Sequence, residues 1–227
     1  MYFDWTILLI LPGLLLGLWA QTRVQTAFEK YSKVHTQRGI PAQDMIRALL
    51  SRQGVVDIAI TPTQGTLSDH YDPTTNTLRL SQGVYGSDSV SAIGVAAHEA
   101  GHALQKDQGY GPLALRSVLV PVVNIGSQLA WPIFVAGIIF SWRPLMYAGI
   151  AVFGAVALFS LITLPVEFDA SRRANQMLSD SGFFSREELD GVRAVLNAAA
   201  LTYVASFVST LLQLLRLILI ARRRDRS

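Results

Sequence analysis

At 227 residues the chain could form one or two soluble domains by length alone, but 51% hydrophobic residues, 15% charged residues and a mean hydropathy of +0.35 exclude an ordinary soluble protein. The net charge of +3 and pI near 9.4 come from arginines set beside apolar segments, a pattern of membrane flanks that excludes a nucleic-acid face. With no cysteine, disulfides, thiolate ligands and a cysteine nucleophile are excluded together.

Trp5 to Ala20 is almost wholly apolar, with Trp5 and Trp19 as interfacial anchors near its ends. Met1 to Asp4 carries no Lys or Arg and no small-x-small cleavage site comes after the apolar run, so an uncleaved anchor helix is expected, kinked at Pro12. Arg23, Lys30 and Lys33 come next, so by the positive-inside rule the span runs outside to inside and leaves the residues after it in the cytoplasm. Gln21 to Gln37 extends the helix until Gly39-Ile40-Pro41 breaks it. A second helix starts at Pro41, carries Met45, Ile46, Leu49 and Leu50 on one side, and ends before Gly54.

Val55 to Ile60 reads as a short β-branched strand, and Thr61-Pro62-Thr63-Gln64-Gly65 and Tyr71-Asp72-Pro73-Thr74-Thr75-Asn76 as turns. Thr77 to Ser81 alternates apolar and polar residues, so a half-exposed strand is expected. Two readings stay open for it: an ordinary edge strand, or an edge on which Leu78, Arg79 and Leu80 pair with an extended peptide substrate. His35 lies on a polar, solvated stretch. His70, within Asp69-His70-Tyr71-Asp72-Pro73, fits a structural turn, with a contact to a tetrahedral intermediate as the alternative.

Ser87 or Asp88 can cap the next helix, which carries His98-Glu99-Ala100-Gly101-His102 and stops near Gly109. Histidines at i and i+4 lie on one face, so both imidazoles can reach one ion. Neutral imidazole suits zinc, and a third protein ligand leaves a position for water. Glu99 falls beside that position, where it can act as general base and then acid. The flanking Val95, Ala96, Ala97, Ala103 and Leu104 make a buried helix on which these polar groups are costly without a partner.

Val118 to Trp142 is long enough to span, with Asn124, Ser127 and Gln128 expected to face protein. A hinge at Ser141-Trp142-Arg143-Pro144 leads into a second apolar run, Leu145 to Leu164, so the hairpin returns the chain to the side of the histidines. That return delivers Pro165-Val166-Glu167-Phe168-Asp169-Ala170-Ser171-Arg172-Arg173, where Glu167 is the expected third ligand and the two arginines anchor the span to lipid phosphates, with orientation of a carboxylate or a substrate terminus by one of them as the alternative. Ser185 and Glu188 form a capping box. From Val192 to Ala221 the helix turns apolar, with a polar stripe of Thr202, Ser206, Ser209, Gln213 and Arg216. The stripe, and the Arg222 to Arg226 tail that a span would place outside, favour a helix packed on the catalytic domain or lying in the membrane interface.

The His98 to His102 motif followed by Glu167-Phe168-Asp169-Ala170-Ser171 resembles the membrane gluzincins, which include the HtpX-like and CAAX prenyl proteases. Asp69 to Pro73, Leu78 to Ser81 and Pro165 to Arg173 resemble more closely the YugP-type neutral zinc metallopeptidases of bacterial membranes, a likeness running from the first anchor to the final apolar helix. The resemblance implies a zinc endopeptidase with His98, His102 and Glu167 as ligands and Glu99 as base. Gluzincins usually place an aspartate four residues after the third ligand to hold a ligand histidine, and here that position is Ser171. Asp169 is expected to point away on its helix and Asp69 and Asp72 to reach the site only if their loop folds over it, so the orienting residue is left open.

The expected fold is mainly α: a multi-span membrane protein with a small α+β gluzincin-like zinc protease domain whose short hairpin or sheet lies next to the HExxH helix. Its parts are an anchor at 1–22, protease segments at 23–117 and 165–200, a transmembrane hairpin at 118–164, and an apolar helix, spanning or interfacial, with a basic tail at 201–227. The expected function is membrane-bound endopeptidase action on membrane-associated or misfolded proteins, with one zinc per chain and the catalytic domain on the cytoplasmic side of the cell membrane. Partners are a peptide substrate and the bilayer, with a second copy or a membrane regulator open, and no nucleic acid. Leu189-Asp190-Gly191 resembles the aspartate motif of site-2 intramembrane proteases, so one alternative uses Asp190 as the third ligand. Another is a non-enzymatic membrane scaffold, against which Glu99 argues, because a closed structural site needs no base.

Overall fold

The computed structural model describes residues 5–225. Met1 to Asp4 and the last residues of the basic tail, Arg226 and Ser227, lie outside the described residues. The chain is mainly helical with one small sheet, and four of its helices are long and apolar enough to cross a bilayer. It forms two compact units, one of residues 1–20, 115–164 and 202–227, the other of residues 21–114 and 165–201.

In the first unit a 3-10 turn, Trp5–Ile10, leads into α1, Leu11–Ser32. Pro12 therefore occupies the first turn of α1, where its missing N–H costs nothing, and not a kink within a continuous helix. Helices α5, Gly111–Ile139, and α6, Arg143–Asp180, form the hairpin. Gly149 makes it tight: a Cβ there would lie 2.7 Å from the Phe134 nitrogen and 2.9 Å from the Ala130 oxygen, so small-residue packing brings the backbones together. Asn124, Ser127 and Gln128 are exposed, contrary to expectation, because α5 turns its Ala130 and Phe134 side inward. Ser127 instead donates to the Asn124 carbonyl of its own helix at 3.0 Å.

Helix α7, Arg186–Asp225, is one continuous helix, long and apolar enough to cross a bilayer, and its apolar part packs on other helices of this unit. Its Leu217 and Ala221 are buried with Phe134 and Met146, and its Ser209 faces Gly13. Arg216 donates from Nε to Thr6 at 3.4 Å, and its guanidinium lies 5.9 Å from the Trp131 ring centre. Ser209 and Arg216 of the polar stripe thus face neighbouring helices, while Ser206 is exposed.

In the second unit α2, Ala42–Arg52, buries Met45, Ile46, Leu49 and Leu50 against α4, Val90–Asp107. The sheet has the order β1-β3-β2, where β1 is Ala59–Thr63, β2 His70–Asp72 and β3 Thr77–Ser81. β1 runs parallel to β3 and β2 antiparallel to it. β1 starts later than expected because Val55 is still tied to the end of α2 through the Leu50 carbonyl. Pro62 is tolerated within it because β1 is an outer strand.

β3 is the central strand and not an edge. β1 pairs with all of it and β2 with Thr77 to Arg79, while Leu78 and Leu80 are fully buried. A one-turn helix, α3, Gln82–Tyr85, precedes α4, whose N-cap is Ser89 and not Ser87 or Asp88. Its hydroxyl accepts from the Ala92 N–H at 3.3 Å.

The capping box at the start of α7 also fastens a distant segment. One carboxylate oxygen of Glu188 accepts from the Ser185 N–H at 2.6 Å and the other from the Gln37 N–H at 2.7 Å. Glu188→Ala leaves both donors without this acceptor and is expected to cost about 1–3 kcal/mol of stability, read as a lowered unfolding midpoint in detergent.

Candidate metal centre

The centre is built where two helices touch. Ala96, Ala97, Ala100 and Gly101 leave α4 with almost no side-chain bulk on its buried side. A Cβ on Gly101 would collide with the Ala170 carbonyl of α6, so only glycine lets α4 meet α6 backbone to backbone. That approach sets Glu167 of α6 between the two histidines of α4. His98 Nε2 lies 3.1 Å and His102 Nε2 3.5 Å from the same oxygen, Glu167 Oε2. The imidazole rings stand edge to face, with centroids 4.9 Å apart.

One nitrogen from each imidazole and one carboxylate oxygen all lie within 4.8 Å of one another. The three side chains are only 12%, 8% and 3% exposed. Two borderline nitrogen donors and one oxygen donor, converging in a nearly dry place, fit a zinc-sized cation. The outer nitrogens support the same conclusion, because each is already engaged and leaves Nε2 to face the centre. His98 Nδ1 is 3.0 Å from Ser171 Oγ, and His102 Nδ1 is 3.0 Å from Gln105 Oε1.

The Gln105 amide donates from Nε2 to the Val166 carbonyl at 2.8 Å and to Asp169 Oδ2 at 2.9 Å. Asp169 therefore does not point away from the site. It is gripped by Arg172 and Arg173 of its own helix and joins the network from the far side of Gln105. Both arginines are thus engaged with a protein carboxylate.

Glu99 sits one residue from His98, half-buried, and its Oε2 accepts from the Tyr71 N–H of β2 at 2.9 Å. Burial pushes its carboxyl upward in pKa, the His98 and His102 charges oppose this, and Glu167 and Asp69 add to it. For His102 burial works downward, but the hydrogen bond with Glu167 and the charges of Glu99 and Glu167 outweigh it, and the net direction is up. The Tyr71 phenol is pushed to about 12 by burial and by Asp72 and Asp107. It therefore remains a hydroxyl and binds Asn76 Oδ1 at 2.5 Å.

The remaining candidates lie elsewhere. Leu78 and Leu80 are sealed in the core, and Arg79 belongs to the central strand, which removes them as an edge for substrate. His70 is exposed, directly opposite Arg79 in the β2–β3 pair, with Nδ1 on the Ser68 carbonyl at 2.8 Å. Asp69 is held by the Ser81 N–H and hydroxyl, and Asp72 caps its own turn. His35 is exposed and paired with Asp88. Asp190 is exposed and paired with Arg193 at 2.9 Å, outside the histidine cluster, so the site-2 alternative loses its third ligand. Gln105 and the Tyr71 N–H are the groups that sequence reasoning missed. The available signal for Gln105 was its place one helical turn after His102.

Fold and site together define a membrane protein with a buried His-His-Glu cluster and an adjacent carboxylate. Residues 6–222 match a family model described as "Putative neutral zinc metallopeptidase". The chain is 47% identical over 214 residues to the "Putative membrane protease YugP" of Bacillus subtilis (strain 168), covering 94% of this chain and 95% of that protein. It belongs to this neutral zinc metallopeptidase family. No solved structure matches it.

Gly101→Ala tests the helix contact on which the cluster stands. It is expected to destabilise the fold by about 1–3 kcal/mol through overpacking and to lower the zinc retained per chain, read by thermal unfolding and metal analysis of the purified protein.

Proposed function

We propose that the chain is a membrane-bound zinc endopeptidase of the gluzincin kind, with His98, His102 and Glu167 holding one zinc and Glu99 as general base and acid. The observation that carries this reading is the convergence of both Nε2 atoms on Glu167, with Glu99 alongside. Zinc held there would supply Lewis acidity to the attacking water and to the scissile carbonyl. Glu99 takes the proton of the attacking water through the carboxylate face not engaged by Tyr71. It then delivers that proton to the nitrogen of the breaking peptide bond, so base and acid are one side chain. The Tyr71 N–H holds Oε2 and limits the carboxylate to a small arc.

That same bond joins the base to the backbone of β2, the sheet edge opposite β1. An extended peptide added along β2 would pass directly by Glu99, whereas the β1 edge is interrupted by Pro62. The substrates that fit are flexible or misfolded segments near the membrane, because a single short strand offers little to hold a folded protein. We place the catalytic residues in the cytoplasm, on the strength of Arg23, Lys30 and Lys33 after the first span. Four crossings then put the end of the chain outside.

Zinc per chain in the wild type, Glu167→Ala and Asp190→Ala decides the ligand set. One zinc is expected in the wild type and in Asp190→Ala, and its loss in Glu167→Ala. Glu99→Gln is expected to retain zinc while peptide hydrolysis falls about 10²–10⁴-fold; hydrolysis at the wild-type rate would remove Glu99 from the mechanism. A cysteine introduced by Ser227→Cys is expected to react with an impermeant reagent added outside intact cells, and labelling only after permeabilisation would mean that α7 does not cross or that the topology is reversed.

A further inference from the structure

Gln105 is fully buried in α4, a helix whose neighbouring residues are mostly alanine, glycine and aliphatic. A buried amide is costly unless its oxygen and its N–H groups all find partners, and here they do. The two Nε2 bonds go to the Val166 carbonyl and the Asp169 carboxylate, which can only accept. Turning the amide over would set its oxygen against both of these and its NH2 against His102. The orientation is therefore fixed by chemistry, with Oε1 presented to His102 Nδ1 at 3.0 Å.

We propose that Gln105 is a positioning residue for His102. Its anchored amide oxygen requires the proton on Nδ1 and thereby turns the Nε2 lone pair toward Glu167 and the ion. This rests on the zinc reading above and deepens it. Because Val166 immediately precedes Glu167, the same amide ties the second histidine to the turn of α6 that carries the third ligand. Asp169 is itself held by Arg172 and Arg173, so the chain of contacts runs from a rigid ion-paired group to the imidazole.

His98 is held differently. Ser171 Oγ can donate or accept, so it steadies that ring without dictating its tautomer. The two histidines of one motif are thus unequally restrained, His102 firmly and His98 loosely.

The test is zinc affinity of the full-length protein in detergent, measured by competition with a chromophoric chelator. Gln105→Met keeps similar bulk and removes every polar atom, and it is expected to weaken zinc about 10- to 100-fold. Gln105→Glu keeps an acceptor but places an oxygen against Val166 and Asp169, and a loss of similar size is expected. Ser171→Ala should cost less than either. Met177→Ala, in the same core but outside the network, should lower the unfolding midpoint and leave zinc affinity unchanged. If Gln105→Met binds zinc within about twofold of wild type, or Ser171→Ala loses as much as Gln105→Met, the proposal is overturned. If Gln105→Met does not fold, wild-type affinity in Gln105→Glu overturns it equally. A wild type that holds no zinc would instead bring down the metal reading on which the proposal stands.

Discussion

The contact between Gly101 of α4 and Ala170 of α6 is the constraint on which the rest of the unit that carries the histidines depends. The imidazoles reach only a short way from α4, so Glu167 can meet both only if its own helix comes within backbone distance. A helix pair this close has no room for ordinary side chains in its seam, which explains the alanines around the motif. The apolar core of α2, β3 and α7 around α4 then holds that pair in register.

The second consequence of the contact is polar. Bringing two histidines, a glutamate and a glutamine into a seam with little water requires every outward-facing atom to find a partner. α6 supplies them within a little more than one turn: Ser171 for His98, and the Val166 carbonyl and Asp169 for Gln105. The Glu99 carboxylate is held from another direction by the Tyr71 N–H of the sheet. The restraints on α4 thus come from two directions, three partners from α6 and one from β2, all on elements other than α4 itself.

Part of this was legible in the sequence because it is local. His98, Glu99 and His102 share one helical turn, and a helix turn is a distance ruler. Glu167 could be named because it is the carboxylate that meets the membrane surface as the apolar hairpin returns. The features that escaped depend on neighbours from elsewhere in the chain. Alternation in Thr77 to Ser81 reports half-burial, which a central strand and an edge strand can share, and only the positions of β1 and β2 decide between them. Gln105 has no chemistry of its own until Val166 and Asp169 arrive as acceptors, and Asp169 looked misdirected because the partner that links it to the site, Gln105, lies on α4. In the membrane unit, the polar residues of α7 could be read as interfacial because Gly13, Thr6 and Trp131, which meet them, are far away in sequence.

The separation of the ligands also has a consequence in time. Glu167 comes 69 residues after His98, so at about 5–20 residues per second of synthesis a growing chain presents the helix of the two histidines for several seconds before Glu167 exists. Two long apolar helices, α5 and the first part of α6, must be made within that interval. Until then the two histidines have no carboxylate between them. The buried cluster therefore cannot close until α6 has been made and has docked on α4, so the polar seam is sealed only after long apolar stretches of the chain already exist.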